Sequence, residues 1–200
     1  MSVRTSRSRA ALLSAGAAAL ALVLSACSGG GIEGGGGGTG FVAGSDGIAT
    51  VKKGERDTAP KLAGRTIDGG ELDVASAYKG KIVVLNVWGS WCPPCRAEAA
   101  NFVKVSKDLA GQGVQFVGIN TRDTSTRPAL AFEEEFKVTY PSLYDPTGKL
   151  LLRFEKGTLN PQLIPSTIVV DREGKLAARA QTPLTEELLR KMLKPILAEK

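Results

Sequence analysis

The chain has no histidine. That absence removes Ser-His and Cys-His nucleophilic catalysis, imidazole-ligated zinc and haem, and the side chain that most often carries protons near neutral pH. Cysteine is scarce, with three in 200 residues, at positions 27, 92 and 95. So few cannot build a disulfide framework, and a structural zinc site needs more Cys or His ligands than the chain holds. A basic stripe is missing too. The net charge is +6, but Arg4, Arg7 and Arg9 supply three of those charges in the first ten residues and the rest are scattered, which leaves nucleic-acid binding without support. Beyond residue 23 no run is long and apolar enough to span a bilayer.

What is present begins with an address. Residues 1–9 are basic, 10–23 are apolar and rich in Ala and Leu, and small residues follow. That order reads as an export signal, without the Arg-Arg pair of the twin-arginine route. Leu24-Ser25-Ala26-Cys27 resembles the lipobox of bacterial lipoproteins. The resemblance implies a signal peptide over 1–26, lipid on Cys27, and a protein held on the extracytoplasmic face of the bacterial cell membrane. Residues 27–57 read as a tether. From Ser28 to Gly47 glycine dominates, unbroken from Gly34 to Gly38. Such a coil has an r.m.s. span of roughly 25 Å over about 20 residues.

Residues 58–200 read as one domain. Segments 59–62 and 64–72 form a short hairpin with Asp68-Gly69 as its turn signal. Residues 81–88 are a buried strand. Residues 93–109 have helical periodicity, with Ala99, Phe102, Val105 and Leu109 on one side, and Gly111-Gln112-Gly113 ends the run. Residues 114–120 are a second buried strand and 127–137 a helix. A hairpin follows over 167–171 and 175–179, then an amphipathic helix over 184–198 that Pro195 should bend or fray. The order βαβα then ββα calls for parallel pairing through a crossover helix, then antiparallel pairing. That is an α/β fold with a mixed central sheet flanked by helices.

The chemistry-bearing stretch is Trp91-Cys92-Pro93-Pro94-Cys95, where a strand gives way to a helix. Two thiols at this spacing can close a small disulfide ring. A residue before proline is pushed out of the α region. Cys92 is therefore a natural N-cap, with Pro93 at the favoured first helical position, and its thiolate faces the positive end of the helix dipole. This arrangement assigns Cys92 as the attacking thiolate and Cys95, one turn inside and more buried, as the resolving thiol. The chemistry needs no cofactor beyond a Cys92–Cys95 redox disulfide and no metal. Glu98, three residues after Cys95, lies near it on the helix and could take or return its proton. Trp88 and Trp91 are placed to wall the site.

These motifs do not stand alone. Ala59-Pro60, Gly80-Lys81, Asn86-Val87-Trp88-Gly89-Ser90, Arg96-Ala97-Glu98 and Ile164-Pro165-Ser166-Thr167 accompany them. Over residues 58–198 the chain resembles the thioredoxin fold, and more narrowly the membrane-anchored TlpA/ResA-like disulfide reductases. The resemblance implies that Pro165 is a cis-proline facing the cysteines and that the backbone of Ile164 holds an extended substrate. Trp91, Pro93 and Pro94 would complete the contact surface. It implies a functional, partly buried Glu98, the more so because Asn86 stands where cytoplasmic thioredoxins have a buried Asp. Ala100 replaces a frequent helix-kinking proline, and residues 156–162 read as an enlarged loop.

In function the resemblance implies a thiol–disulfide oxidoreductase acting on protein thiols and disulfides. It would keep apocytochrome c cysteines reduced in cytochrome c biogenesis, recharged by a membrane thiol carrier of the CcdA type. The alternative is an oxidase that forms disulfides in exported proteins. The peroxidase pattern Pro-x-x-x-Thr/Ser-x-x-Cys fails at Leu85 and Gly89. Copper-delivery proteins of this fold use Cys-x-x-x-Cys plus a His, and both are absent.

Overall fold

A computed structural model describes residues 38–199. The expected export signal, Cys27 and the tether up to residue 37 lie outside the described residues. The strands are Val42–Ala43 (β1), Ile48–Thr50 (β2), Ala63–Arg65 (β3), Glu71–Asp73 (β4), Ile82–Trp88 (β5), Val114–Thr121 (β6), Ser142–Asp145 (β7), Ser166–Val170 (β8) and Leu176–Ala180 (β9). The helices are Val74–Ala77 (α1), Pro93–Leu109 (α2), Thr126–Phe136 (α3) and Glu186–Leu197 (α4).

One sheet runs β1-β2-β9-β8-β5-β6-β7. The pairs β5–β6 and β6–β7 are parallel, and β5–β8, β8–β9, β2–β9 and β1–β2 are antiparallel. The mixed sheet expected from the element order is present. β5 sits in the middle, so every residue in it is buried. Ile82 and Val84 pack into one core cluster with Phe102, Val105, Leu189 and Leu193 from α2 and α4. Val83, Leu85 and Val87 pack into a second with Leu62, Val74, Leu151 and Ile168. A strand covered on both faces is the reason its sequence is an unbroken apolar run rather than an alternating one.

β7 escaped the sequence reading. It is four residues between Pro141 and Pro146, with Ser142 and Asp145 at its ends. It becomes a strand because α3 returns the chain alongside β6, with Gly118 paired to Ser142 and Thr121 to Asp145. The hairpin is as expected in kind: β3 pairs with β4 antiparallel, and Gly69 takes a positive φ of 92° in the turn. Pro195 leaves α4 helical through to Leu197.

The tether boundary at residue 57 is corrected. β2 pairs with β9, Ile48 to Ala180 and Thr50 to Ala178, and Ile48, Ala49 and Val51 are buried. Without β2, the edge of β9 would expose unpaired backbone groups and apolar surface. Arg56 adds a second anchor. Its buried guanidinium donates to Asp171 at 2.8 Å and to Glu199 at 2.7 and 2.6 Å, and its Nε to Val51 O at 3.1 Å. Glycine content marks where this arm turns, but its apolar residues mark where it binds.

Candidate active site

β5 and β6 end side by side, and the chain leaves β5 through Gly89-Ser90-Trp91 into α2. This turn is tied down from β6. Asp123, buried two residues past the end of β6, accepts from Ser90 N at 2.9 Å, from Ser90 Oγ at 2.6 Å and from Asn120 Nδ2 at 2.7 Å. Tyr144 of β7 donates to the Asp123 carbonyl at 3.1 Å. A Cβ at Gly118 would lie 2.1 Å from Ser142 Oγ and 2.6 Å from Trp88 Nε1, so only glycine lets β7 and Trp88 close around that point.

Cys92 caps α2 as expected. Its backbone is extended (φ −90°, ψ 107°), Pro93 and Pro94 take the first two helical positions, and its sulfur accepts from Cys95 N at 3.2 Å. Cys92 and Cys95 form a disulfide. The expected difference in burial is absent: each cysteine is 2% exposed. Asymmetry between them therefore comes from position, Cys92 at the cap and Cys95 inside the first turn. The Ile164–Pro165 peptide is cis, and Ile164 packs against the cluster that holds Cys92, Cys95, Trp88 and Ile67.

The two tryptophans separate. Trp88 is buried and stacks on Phe132, with ring centroids 4.3 Å apart. Trp91 is 49% exposed, and Pro93, Pro94 and Leu163 are exposed as well. Trp91, Pro93 and Pro94 thus leave exposed apolar surface next to Cys92 in the chain.

Glu98 is more deeply buried than the sequence reading required, at 2% exposure. It lies on the inner stripe of α2 with Ala99, Phe102 and Val105. Burial pushes its pKa up to about 7, against the pull of Leu184 N–H and the Asn86 amide. Leu184 N donates to Oε2 at 2.8 Å and Asn86 Nδ2 to Oε1 at 2.9 Å. Glu98 thus lies one helical turn from Cys95 in sequence, with its proton affinity raised by burial.

The sequence reading missed Ser90, Arg122, Asp123 and Leu163. One signal existed: in open α/β sheets ligands bind at the carboxyl ends of strands, and Thr121-Arg122-Asp123 follows β6 there. The 156–162 loop is packed rather than loose. Thr158 and Leu159 are buried, and Arg179 of β9 donates to the carbonyls of Gly157 and Thr158.

A mixed sheet with a Cys-x-x-Cys capping the helix after its central strand, next to a cis-proline, defines a thioredoxin-like protein. The chain belongs to the AhpC/TSA family, which it matches over residues 56–179. It is 37% identical over 125 residues to the thiol:disulfide interchange protein HelX of Rhodobacter capsulatus, covering 62% of this chain and 65% of that one. It is 29% identical over 139 residues to the thiol-disulfide oxidoreductase ResA of Geobacillus thermodenitrificans, covering 70% and 76%. Among solved structures it is similar to a secreted thiol-disulfide isomerase from Corynebacterium glutamicum, with a TM-score of 0.71 and 28% identity over 79% of this chain and 97% of that one. The chain thus spans just under two thirds of the length of HelX.

Proposed function

We propose that the chain is an extracytoplasmic thiol–disulfide oxidoreductase that reduces protein disulfides. Apocytochrome c is its proposed substrate, a membrane thiol carrier of the CcdA type its source of electrons, and lipid on Cys27 its anchor. The relatives named for thiol–disulfide exchange and the secreted neighbour support the activity and the compartment.

The observation that carries the reading is the Cys92 cap. Pro93 and Pro94 have no N–H, so among the first-turn amides Cys95 N–H alone donates to the Cys92 sulfur. A thiolate with one such donor is weakly stabilised, the disulfide form is relatively favoured, and the couple is reducing. The Thr/Ser position of the peroxidase motif is held by Gly89, where a Cβ would lie 2.7 Å from Trp91 Nε1 and would have to displace that side chain.

In the cycle, the Cys92 thiolate attacks one sulfur of a substrate disulfide. A Cys92–substrate S–S bond forms, the substrate S–S bond breaks, and the leaving thiolate takes a proton from water. Cys95 then gives its proton to the Glu98 carboxylate and attacks the Cys92 sulfur. The Cys92–Cys95 bond forms, and the second substrate thiolate leaves and is protonated. Two electrons pass to the substrate.

Titration of the Cys92–Cys95 couple against glutathione tests this. The expected potential lies nearer the roughly −270 mV of thioredoxin than the roughly −120 mV of a strong oxidant. Pro94→His restores a donor and should raise it by tens of millivolts. A wild-type value above about −180 mV, the range of a disulfide isomerase, would remove the reductase and favour the oxidase.

A further inference from the structure

Arg122 stands apart from the other basic residues near the site. It is a non-glycine residue in the left-handed region, with φ 61°. That conformation costs energy for a side-chain-bearing residue, and here it sits between two fixed points. Thr121 ends β6, and Asp123 holds the Ser90 turn.

Its guanidinium lies 5.0 Å over the ring of Trp91, the half-exposed aromatic wall next to Cys92. The indole is confined on another side by Gly89, where a Cβ would fall 2.9 Å from Trp91 Cε2. Trp91 is thereby clasped between Gly89 and Arg122.

The guanidinium has no carboxylate. Arg56, Arg96 and Arg190 each pair with acids. Arg122 makes no hydrogen bond or ion pair among the described residues, and its Nη2 is shielded from water without a partner. A shielded guanidinium nitrogen with no acceptor is costly. An orphaned guanidinium nitrogen on a partly exposed side chain at a strand end, stacked on the aromatic neighbour of Cys92, describes a site that something else completes.

We propose that Arg122 is a specificity-determining residue that receives a side-chain carboxylate of the substrate polypeptide, next to the cysteine that Cys92 attacks. The preferred substrates are extended segments carrying Asp or Glu beside the disulfide. Trp91 and Leu163 contact their apolar parts and Arg122 their charge. A guanidinium is the group whose planar fork suits a carboxylate, and it can keep its stacking on the indole while it binds one. This inference rests on the proposed disulfide exchange at Cys92 and names its substrate class.

The test uses the reduced protein and three peptide disulfides that differ only at the residues flanking the cysteine: Asp, Asn or Lys. Wild-type kcat/KM should rank Asp over Asn over Lys, with about a three- to fivefold step from Asn to Asp, the size of a partly exposed ion pair. The step should shrink in high salt. Arg122→Gln should bring the Asp-to-Asn ratio to about one, Arg122→Lys should retain part of it, and Arg122→Glu should invert it. Wild-type exchange without discrimination overturns the assignment, as does an equal loss on all three peptides in Arg122→Gln, which would make Arg122 a prop for Trp91. Exchange with none of the peptides overturns the oxidoreductase reading together with it.

Discussion

Glu98 shows how a single residue joins chemistry to stability. Both its oxygens accept N–H bonds, yet burial outweighs them and lifts its pKa from 4.5 to about 7. The folded protein therefore keeps the proton where the unfolded chain has lost it. Between pH 4.5 and 7 the folded state binds more protons, so stability falls as the pH rises through that window. The shift corresponds to about 3 kcal/mol. In the oxidised protein the thiols do not titrate. Glu133, also raised to about 7 by burial, is common to wild type and variant and cancels in their difference. The side chain introduced by Glu98→Gln does not titrate, so the substitution should remove roughly half of the slope, the rest belonging to Glu133, while turning over the Asn86 amide gives each end of the new side chain a partner. Denaturant unfolding at pH 5, 6, 7 and 8 checks this. Parallel pH profiles in the two proteins would mean that Glu98 stays ionised throughout.

Among the elements, the arm ahead of residue 58 and the loop before Pro165 meet through one side chain. Arg179 of β9 donates to the carbonyls of Gly157 and Thr158 and lies 4.6 Å under the ring of Phe41. Burial depresses its pKa, and no acid compensates it. Its partners are two carbonyls of the segment that leads to Ile164–Pro165, so Arg179 would position the proposed substrate-binding edge. Arg179→Met should lower stability by about 1–3 kcal/mol through the lost carbonyl partners. It should also raise KM for peptide disulfides severalfold while leaving the couple potential and the reaction with dithiothreitol near wild type. Thermal unfolding, steady-state kinetics with the peptide disulfide and the rate of reduction by dithiothreitol separate these effects. An equal loss with dithiothreitol would show a general structural defect instead. The misplaced tether boundary has a similar cause: the apolar residues Phe41, Ile48, Ala49 and Val51 are few and set among glycines, and Ile48 and Ala49 become a strand only against the edge of β9.

For the molecule as a whole, the question is where it works. No helix among the described residues is long and apolar enough to cross a membrane. The proposed attachment is the single cysteine of Leu24-Ser25-Ala26-Cys27, whose lipid would hold the domain at the surface through the glycine-rich segment. Cells expressing Cys27→Ala should release the protein from the membrane fraction, whereas the parent should stay there through a high-salt wash. Equal retention of both would remove the lipid anchor.

Local chemistry settled a large part of this protein. The Cys-Pro-Pro-Cys order dictates an N-cap and a helix start, because proline restricts both itself and the residue before it. The observed helix begins at Pro93 and runs to Leu109, with glycines behind it, as its periodicity required. The buried strands β5 and β6 were legible for the same reason: seven or eight apolar-rich residues in a row leave few alternatives. What sequence could not decide were features created by partners distant along the chain. β7 needs the edge of β6, and β2 needs the edge of β9. Glu98 has its spacing from Cys95 on one helix, but its proton affinity comes from burial in the closed core, and the two donors that partly offset it are Asn86, 12 residues before it, and Leu184, 86 residues after it. Residue type alone does not single out Arg122 and Asp123; β6, ending beside β5, brings one to Trp91 and the other to Ser90. Proline and apolar runs act on their neighbours in sequence, whereas dielectric, orphaned donors and strand edges exist only once the chain has closed on itself.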